Sequence, residues 1–575
     1  GDHRYVDIDI ASNGQIVAAL SENDAGVRTP NNAPGIYVSS DGASSWTNVT
    51  PNSFPSEHDR TVLASAPSAP NLIYMLTYTG SGSGLNEDVR FIKLDISGLP
   101  SSIRYYERSP NIPDFGGPVG GMNTQANYNM VVKVHPADTN LVLIGGTNLF
   151  RSFDGFATGP ASSSTTEKQS FWVGGYAKAN DVSQYENQHP DQHAVVFDPN
   201  NPNRVITGHD GGVSITDDIR ASEVNWQDVN NGYNVTQFYT VAVHDNPGDD
   251  RILGGTQDNG SPFFRFDLSS FSSTASEDVS SGDGSYAYLG SEFAYTSSQN
   301  GNVSRLKYQS DGSLTSSFEF PFGEWSNITP DGASGQLFVN PFEVDPNNED
   351  VMYYPAGSNL WRNNQLSSIP NFENGTSQGW SELANLRVNG NITSLAISEA
   401  NPAHRLYYAE SSFENAPKLY RLDDATTATD GEIDISIPEA PIGAYVHDIE
   451  INPEDADELL VVMSNYNITG LYHSSDAGNS WTAVEGNLEG NEANPGPSLR
   501  NTEIVPADSE TLYLVGASTG LFSSSNLSGN STTWQFVAEQ QIGNIPVEFI
   551  DSRSDGLIAA ATHGRGIFAG KLTES

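Results

Sequence analysis

The sequence predicts an all-β fold built from a repeated unit of about four strands. A short turn phrase occurs near both ends of the chain, and apolar strands recur with a period of about 50 residues. The 575 residues also include 54 glycines and 32 prolines, as the many tight turns of an all-β protein require. A unit of this size cannot bury its own faces, so copies are expected to stack on one another.

The turn phrase is complete at residues 474–481, which read Ser-Ser-Asp-Ala-Gly-Asn-Ser-Trp, and residues 39–46 are a near copy. Each follows a short apolar strand. We expect the aspartate to fold its carboxylate onto backbone N–H groups of the turn and the glycine to take a positive φ. The tryptophan is expected to anchor the next strand.

The second repeating element is an apolar strand, a proline-containing turn and another apolar strand. A period near 50 residues with four strands per unit is what a propeller blade requires. The sequence therefore predicts one large β-propeller of about ten four-stranded blades over residues 1–575. The alternative is two intertwined rings of the seven-bladed type, with a boundary near the serine-rich segment 268–284. Blades are predicted to begin near residues 5, 61, 129, 193, 236, 285, 339, 392, 446 and 501, with a partial unit from 547 to 571.

The charge balance limits the partners that this chain can bind. There are 71 acidic and 26 basic residues, a formal net charge of −45, and no cysteine. The acidic excess indicates a strongly solvated surface and argues against nucleic acid and anionic membranes as partners. Disulfides and thiolate metal sites are excluded. Ca²⁺ binding is compatible with the acidity, but the spacing of a calcium loop is absent, so no metal site or cofactor is predicted.

The phrase Ser-x-Asp-x-Gly-x-x-Trp resembles the Asp-box, or BNR, repeat of β-propellers. That group includes sialidases, xyloglucan-type glycoside hydrolases and the sortilin receptor domain. The match at 474–481 is complete, whereas the first copy has its glycine displaced to Gly42 and a third copy at Asp154-Gly155 lacks the tryptophan. Residues 189–261 and 562–568 are also similar to large exported BNR proteins of environmental bacteria.

This resemblance implies a bacterial secreted or cell-surface propeller that binds or cleaves polysaccharide. If the chain is an enzyme, the implied activity is that of a glycoside hydrolase or a polysaccharide lyase. The Arg cluster and the Phe/Tyr-Arg-Ile-Pro string of sialidases are missing, which argues against sialidase activity. The alternatives are a non-catalytic propeller that binds a protein or peptide, as sortilin does, and an adhesion module. The predicted partner is a polysaccharide or a surface protein, without membrane insertion.

Four polar clusters fall on loops that a propeller would place on one rim, at residues 188–193, 208–212, 254–260 and 562–566. Such rims suit sugars, because glycines let the backbone approach a ligand and polar side chains meet the hydroxyl groups. The candidate catalytic residues are Asp191, Asp210 and Asp258, which would supply the paired carboxyl groups of glycoside hydrolysis. The candidate substrate-binding residues are His189, His193, His209, Tyr233, Gln237, Tyr239, Gln257, Asn259, His563 and Arg565.

The same residues have structural interpretations. Asp-Gly-Gly and Asp-Asn-Gly are turn-forming strings, and an aspartate there can tie loops together. His193 would serve a lyase as its base, and His189 with His193 would otherwise be metal ligands. His563 and Arg565 would otherwise lock the C-terminal strands by bridging to a carboxylate.

Overall fold

The computed structural model describes residues 5–21, 34–55, 58–80, 88–160, 170–267, 272–273, 275–315, 324–371, 373–490, 495–507 and 511–572. These residues form 45 strands in eleven sheets. All strand pairs are antiparallel except β25 with β29. The prediction of an all-β propeller with about ten four-stranded blades is confirmed, and each sheet begins within four residues of its predicted start. Among the described residues, no helix has the length and apolar character needed to cross a membrane.

The chain divides into two compact units, residues 1–233 and 234–575. The first unit holds four sheets of four strands, whose first strands contact one another in the order β1, β5, β9, β13. Its strands are β1 (Tyr5–Ile10), β2 (Ile16–Leu20), β3 (Gly35–Ser39), β4 (Thr47–Asn48); β5 (Thr61–Ala66), β6 (Ala69–Tyr78), β7 (Val89–Asp95), β8 (Arg104–Glu107); β9 (Val131–His135), β10 (Asp138–Gly145), β11 (Leu149–Ser152), β12 (Trp172–Gly174); β13 (Gln192–Phe197), β14 (Val205–His209), β15 (Gly212–Thr216) and β16 (Gln227–Asp228).

The second unit holds seven sheets, and contacts return from the last sheet to the first, between β43 and β17. It is therefore a closed seven-bladed ring. Its strands are β17 (Phe238–Val243), β18 (Arg251–Thr256), β19 (Pro262–Asp267), β20 (Ser272–Ser273), β21 (Glu277–Asp278); β22 (Gly284–Leu289), β23 (Phe293–Ser298), β24 (Asn302–Lys307), β25 (Trp325–Pro330), β29 (Asn374–Thr376); β26 (Glu343–Val344), β27 (Met352–Ala356), β28 (Asn359–Asn363), β30 (Trp380–Glu382); β31 (Asn391–Ile397), β32 (Leu406–Ser411), β33 (Lys418–Leu422), β34 (Ile433–Asp434); β35 (Val446–Asn452), β36 (Asp455–Met463), β37 (Leu471–Ser474), β38 (Thr482–Ala483); β39 (Leu499–Pro506), β40 (Thr511–Ala517), β41 (Gly520–Ser524), β42 (Gln535–Val537); β43 (Val547–Ser552), β44 (Leu557–Thr562) and β45 (Gly566–Lys571).

The serine-rich segment 268–284, the alternative domain boundary, lies inside the second unit. There β21 pairs with β19 of the first sheet of the ring. Short 3-10 turns occur at Ser109–Asn111, Gln299–Gly301, Leu366–Ser368, Ala384–Leu386 and Gly486–Leu488.

The sheet of β35 to β38 in the ring is buried on both faces because it lies between two neighbours. In β36, Leu459 and Val461 pack into one hydrophobic core and Leu460 and Val462 into the next. All four side chains are fully buried, and each contributes about 1.5–3 kcal/mol. This explains why the strand reads as a continuous apolar run instead of an alternating pattern.

The turn phrase forms the predicted structure at residues 474–481. The Asp476 carboxylate accepts hydrogen bonds from the Ser480 backbone N–H (2.8 Å) and hydroxyl (2.6 Å), and these bonds lower the pKa of Asp476. Gly478 has φ +82°. The Trp481 indole donates to the Ile435 carbonyl of the preceding sheet (2.7 Å). In the copy at residues 39–46 the same aspartate contacts form. Trp46 is 41% exposed there, and its anchoring role stays a prediction.

Acidic side chains on the first strand of one sheet bond to the first strand of the next. A first strand has a free edge, and its inward N–H groups need acceptors. We call Asp448, Glu450, Glu503 and Asp551 the interblade carboxylates. Asp551 joins the last sheet of the ring to the first. The acceptor bonds are Asp448 with the Thr502 N–H (2.8 Å), Glu450 with the Ile504 N–H (3.4 Å), Glu503 with the Ser552 hydroxyl (2.6 Å) and Asp551 with the Val243 N–H (2.6 Å).

Candidate functional site

Asp191 lies in the loop that enters β13 of the first unit, in a left-handed backbone conformation with φ +67°. Its N–H donates to the Thr147 carbonyl (3.0 Å). Its carboxyl Oδ1 accepts hydrogen bonds from the side-chain amides of Gln125 (2.7 Å) and Asn129 (2.5 Å). Burial, together with the negative charge of Asp210, raises the pKa of Asp191 to about 6. This carboxyl group therefore carries a proton at mildly acidic pH.

Asp210 lies in the turn between β14 and β15, and its N–H donates to the Asp191 carbonyl (3.2 Å). Its carboxyl Oδ1 is 2.5 Å from His193 Nε2 and accepts a longer bond from the Tyr128 hydroxyl (3.4 Å). The Tyr128 and His193 rings meet edge to face with centroids 4.9 Å apart. We refer to Asp191, Asp210, His193 and Tyr128 as the Asp191–Asp210 cluster.

His189 and His209 lie beside this cluster and stack with ring centroids 6.0 Å apart. His209 is buried, its Nε2 is 2.8 Å from the Ser214 hydroxyl, and burial lowers the pKa of its imidazole to about 4. His209 is therefore neutral at physiological pH. Tyr233 is exposed, and its N–H donates to the Asn230 carbonyl (2.7 Å); the structure does not bring it into the cluster.

The three residues Gln125, Asn129 and Tyr128 were not predicted from the sequence. They come from the loop that precedes β9, one sheet before β13. Gln125, Ala126 and Asn127 have consecutive positive φ values of 49°, 53° and 77°. Such conformations are uncommon outside glycine and concentrate at functional sites, but nothing in the sequence of this loop marks it.

In the second unit the structure brings together Gln237, Tyr239, Gln257 and His563. The Gln257 carbonyl Oε1 accepts bonds from the Gln237 amide (2.6 Å) and the Tyr239 hydroxyl (3.1 Å). Burial raises the pKa of Tyr239 to about 12, so its hydroxyl stays a donor. Gln237 pairs with His563 in an isolated antiparallel bridge. We call these four residues the Gln257 cluster.

The other predicted residues of the second unit adjoin this cluster. Asp258 is exposed with φ +59°, and its N–H donates to the Asp283 carboxylate (3.1 Å). Asn259 donates to the Gln257 carbonyl (3.0 Å). Arg565 donates to the Ile542 carbonyl (2.7 Å), and His563 Nδ1 is 3.4 Å from Glu548. These two bonds hold the last sheet of the ring locally. The roles of all the predicted residues stay predictions.

The described part of the chain does not contain an assembled metal site. No group of three or more His, Asp or Glu side chains there has an arrangement that would hold a metal ion.

Comparison with known proteins shows that this chain is similar to solved structures in fold. No protein-family model matches this chain, and no curated protein matches it in sequence. Among solved structures, an ancestral GH74 enzyme is similar over 99% of this chain and 86% of its own, with a TM-score of 0.58 and 12% sequence identity. A GH74 enzyme of Niastella koreensis is 16% identical over 96% of this chain and 72% of its own, with a TM-score of 0.43. The first of these likenesses shows a shared β-propeller fold.

Proposed function

We propose that this chain is an exported or cell-surface bacterial protein that binds polysaccharide and hydrolyses it at the Asp191–Asp210 cluster. One observation carries the proposal: two carboxyl groups from adjoining loops have surroundings that separate their roles. Asp191 is held by two amides and retains a proton up to a pH of about 6. Asp210 is paired with His193. Carboxyl pairs of this kind divide into acid and base in glycoside hydrolysis.

In this mechanism Asp191 is the general acid. The amides of Gln125 and Asn129 both donate to Oδ1, which leaves Oδ2 to carry the proton. The proton passes from Oδ2 to the glycosidic oxygen as the bond between that oxygen and the anomeric carbon breaks. Positive charge then develops on the sugar ring, and the leaving group departs as a neutral alcohol.

Asp210 is the second carboxyl group of the pair. It either attacks the anomeric carbon or takes a proton from the water that does so. His193 holds Asp210 Oδ1 at 2.5 Å and acts as a positioning residue. The half-exposed ring of Tyr128, in contact with His193, offers an apolar face on which a sugar ring can stack.

The whole-chain properties support a polysaccharide substrate. The net charge of −45 disfavours nucleic acid and anionic membranes. The fold is shared with a GH74 enzyme, and this likeness supports the proposed reaction class as an analogy of fold.

The test is release of reducing ends from a panel of soluble plant and marine polysaccharides. We expect Asp191→Asn and Asp210→Asn each to lower the rate by about 100-fold or more, because each removes one proton-transfer or nucleophilic group. Glu186→Gln is the matched control, since Glu186 is an exposed carboxylate of the same unit. It should leave the rate unchanged.

The proposal is wrong if the unaltered protein releases nothing, or if Asp191→Asn keeps full activity. Products with a new carbon–carbon double bond would instead assign a lyase with His193 as its base. Binding without release would favour a non-catalytic propeller.

A further inference from the structure

Three of the most exposed large apolar side chains of the second unit lie on neighbouring loops. Phe413 is 96% exposed, Ile442 74% and Tyr466 54%. Phe413 lies between β32 and β33, Ile442 between β34 and β35, and Tyr466 between β36 and β37. We call these three residues the rim patch. Single exposed apolar residues are ordinary, but a group of them marks a binding surface.

Hydrogen bonds join the three loops into one surface. The Gly443 N–H donates to the Asn415 carbonyl (3.0 Å). The Asn465 side-chain amide donates to the Gly443 carbonyl (3.1 Å), and its oxygen accepts from the Tyr445 N–H (2.7 Å). A ligand therefore meets loops that are already ordered, which lowers the entropic cost of binding.

Most of the polar groups around the rim patch are hydroxyls and amides. Residues 411–417, 439–447 and 463–470 contain no lysine or arginine, and their only carboxylates are Glu414 and Glu439. Ser412, Asn415, Asn465 and Asn467 supply the neighbouring polar side chains. Exposed rings among amides match the C–H faces and hydroxyl groups of uncharged sugars. A polyanion would be repelled by the acidic surface.

The rim patch lies on the same rim of the ring as the Gln257 cluster. Strands alternate in direction within each antiparallel sheet, so the loops between second and third strands and those entering first strands share one side. Gln257 and His563 lie in loops of the first type, as Phe413 and Tyr466 do. The rim patch and the Gln257 cluster therefore face the same side of the second unit.

We infer that the rim patch is a binding surface for an uncharged polysaccharide chain. The inference rests on the proposed function and deepens it, because it assigns to the second unit a role in holding polymer that is separate from hydrolysis. Phe413 and Tyr466 stack on sugar rings, and the amides of Asn415 and Asn465 flank them.

The test is gel electrophoresis in gels that contain a soluble β-glucan, a galactomannan or alginate. We expect the unaltered protein to be retarded by an uncharged polymer and not by alginate. The double variant Phe413→Ala/Tyr466→Ala should bind that polymer about tenfold or more weakly, since two stacking contacts are lost. Both side chains are exposed, so folding should be preserved, and circular dichroism checks this. Tyr105→Ala removes an exposed tyrosine of the first unit and should not change retardation.

The outcomes separate this inference from the proposed function. Unchanged retardation of the double variant overturns the inference while the proposed function stands. Unaltered protein that no polysaccharide retards, and that releases no reducing ends, overturns both. A monomer–dimer equilibrium that the double variant abolishes, with retardation intact, assigns the patch to a second copy of the chain and also overturns the inference. Weakened retardation with unchanged hydrolysis of short oligosaccharides supports it.

Discussion

Asp191 combines two features that each raise the free energy of the folded chain. Its left-handed backbone conformation costs about 1 kcal/mol, and burial of its carboxyl group disfavours the ionised form. Residues of this kind persist where function requires them. In the turn phrase, by contrast, hydrogen bonds lower the pKa of Asp476.

Asp191→Asn should therefore separate stability from activity. The folded-state pKa of about 6 lies above the ordinary value, so ionisation destabilises the folded chain as pH rises from about 4 to about 6 and the penalty is complete above that. The asparagine Oδ1 can still accept from Gln125 and Asn129. We expect a gain of about 1–2 kcal/mol at pH 8 and almost none at about pH 3, measured by denaturant unfolding. A loss of stability at pH 8 would contradict this.

At the residue scale the sequence identifies both carboxyl groups but not what surrounds them. Asp191 and Asp210 lie in glycine-rich or histidine-rich loops with recognisable polar strings. Gln125, Tyr128 and Asn129 lie more than sixty positions upstream, and only the stacking of the third sheet on the fourth brings them close. The buried, neutral state of His209 is equally invisible, because burial depends on packing between loops.

Among the structural elements, the first strands of the ring have a free edge, and carboxylates of neighbouring strands accept hydrogen bonds from its backbone N–H groups. Asp551 is the informative case, since its bond to the Val243 N–H (2.6 Å) joins the last sheet to the first. Val243 is buried, and an unpaired buried N–H costs about 1–3 kcal/mol.

Asp551→Ala should destabilise the second unit by about that amount, whereas Asp551→Asn keeps an acceptor oxygen and should not. Thermal unfolding followed by circular dichroism compares the two variants. Equal unfolding temperatures for both would show that the bond does not hold the closing contact.

The turn phrase at residues 474–481 allows a prediction about hydrogen exchange at one backbone amide. Asp476→Ala removes the acceptor for the Ser480 N–H, so hydrogen exchange at that amide should accelerate. Asp476→Asn retains an acceptor and should stay protected. Mass spectrometry of the peptide that spans residues 474–481 measures the difference, and equal protection in both variants would count against the assigned bond.

For the interblade carboxylates, the acidic composition of the chain predicts the wrong location, because it indicates side chains exposed to solvent. The alternation of Asp448 and Glu450 within β35 is visible in the sequence, and the acidic excess indicates a solvated surface. The structure instead uses these side chains as acceptors between sheets. A one-dimensional pattern cannot separate the two uses, because both place polar groups at alternate positions of a strand.

Across the whole molecule, the closed ring gathers acidic groups on its first strands. Burial, together with the charges of Asp448 and Asp551, raises the pKa of Glu343 to about 8. Burial likewise raises the pKa of Asp448 to about 6 and that of Asp551 to about 7. Because these folded-state values exceed the ordinary ones, the folded ring binds protons more tightly than the unfolded chain.

The stability of the ring should therefore fall as pH rises from about 4 to about 8. We expect a higher unfolding temperature at pH 5 than at pH 8.5. Glu343→Gln should raise the unfolding temperature at pH 8.5 and change it little at pH 5. A pH-independent unfolding temperature would contradict the raised pKa values.

The repeat period of the sequence does not predict which two sheets close the ring. Each sheet contacts only its neighbours, so the period gives the number of units but not which units close on each other. Closure here depends on contact between β17 and β43, about 300 positions apart in the chain. No local pattern encodes that separation.

The most direct test of the account is the pH dependence of polysaccharide hydrolysis. Because Asp191 must be protonated to act as the acid and its pKa is about 6, the rate should fall as pH rises through about 6, and Asp191→Asn should remove most of the activity together with this limb. A rate that stays constant or rises between pH 5 and pH 8 would contradict the assignment of Asp191 as the acid.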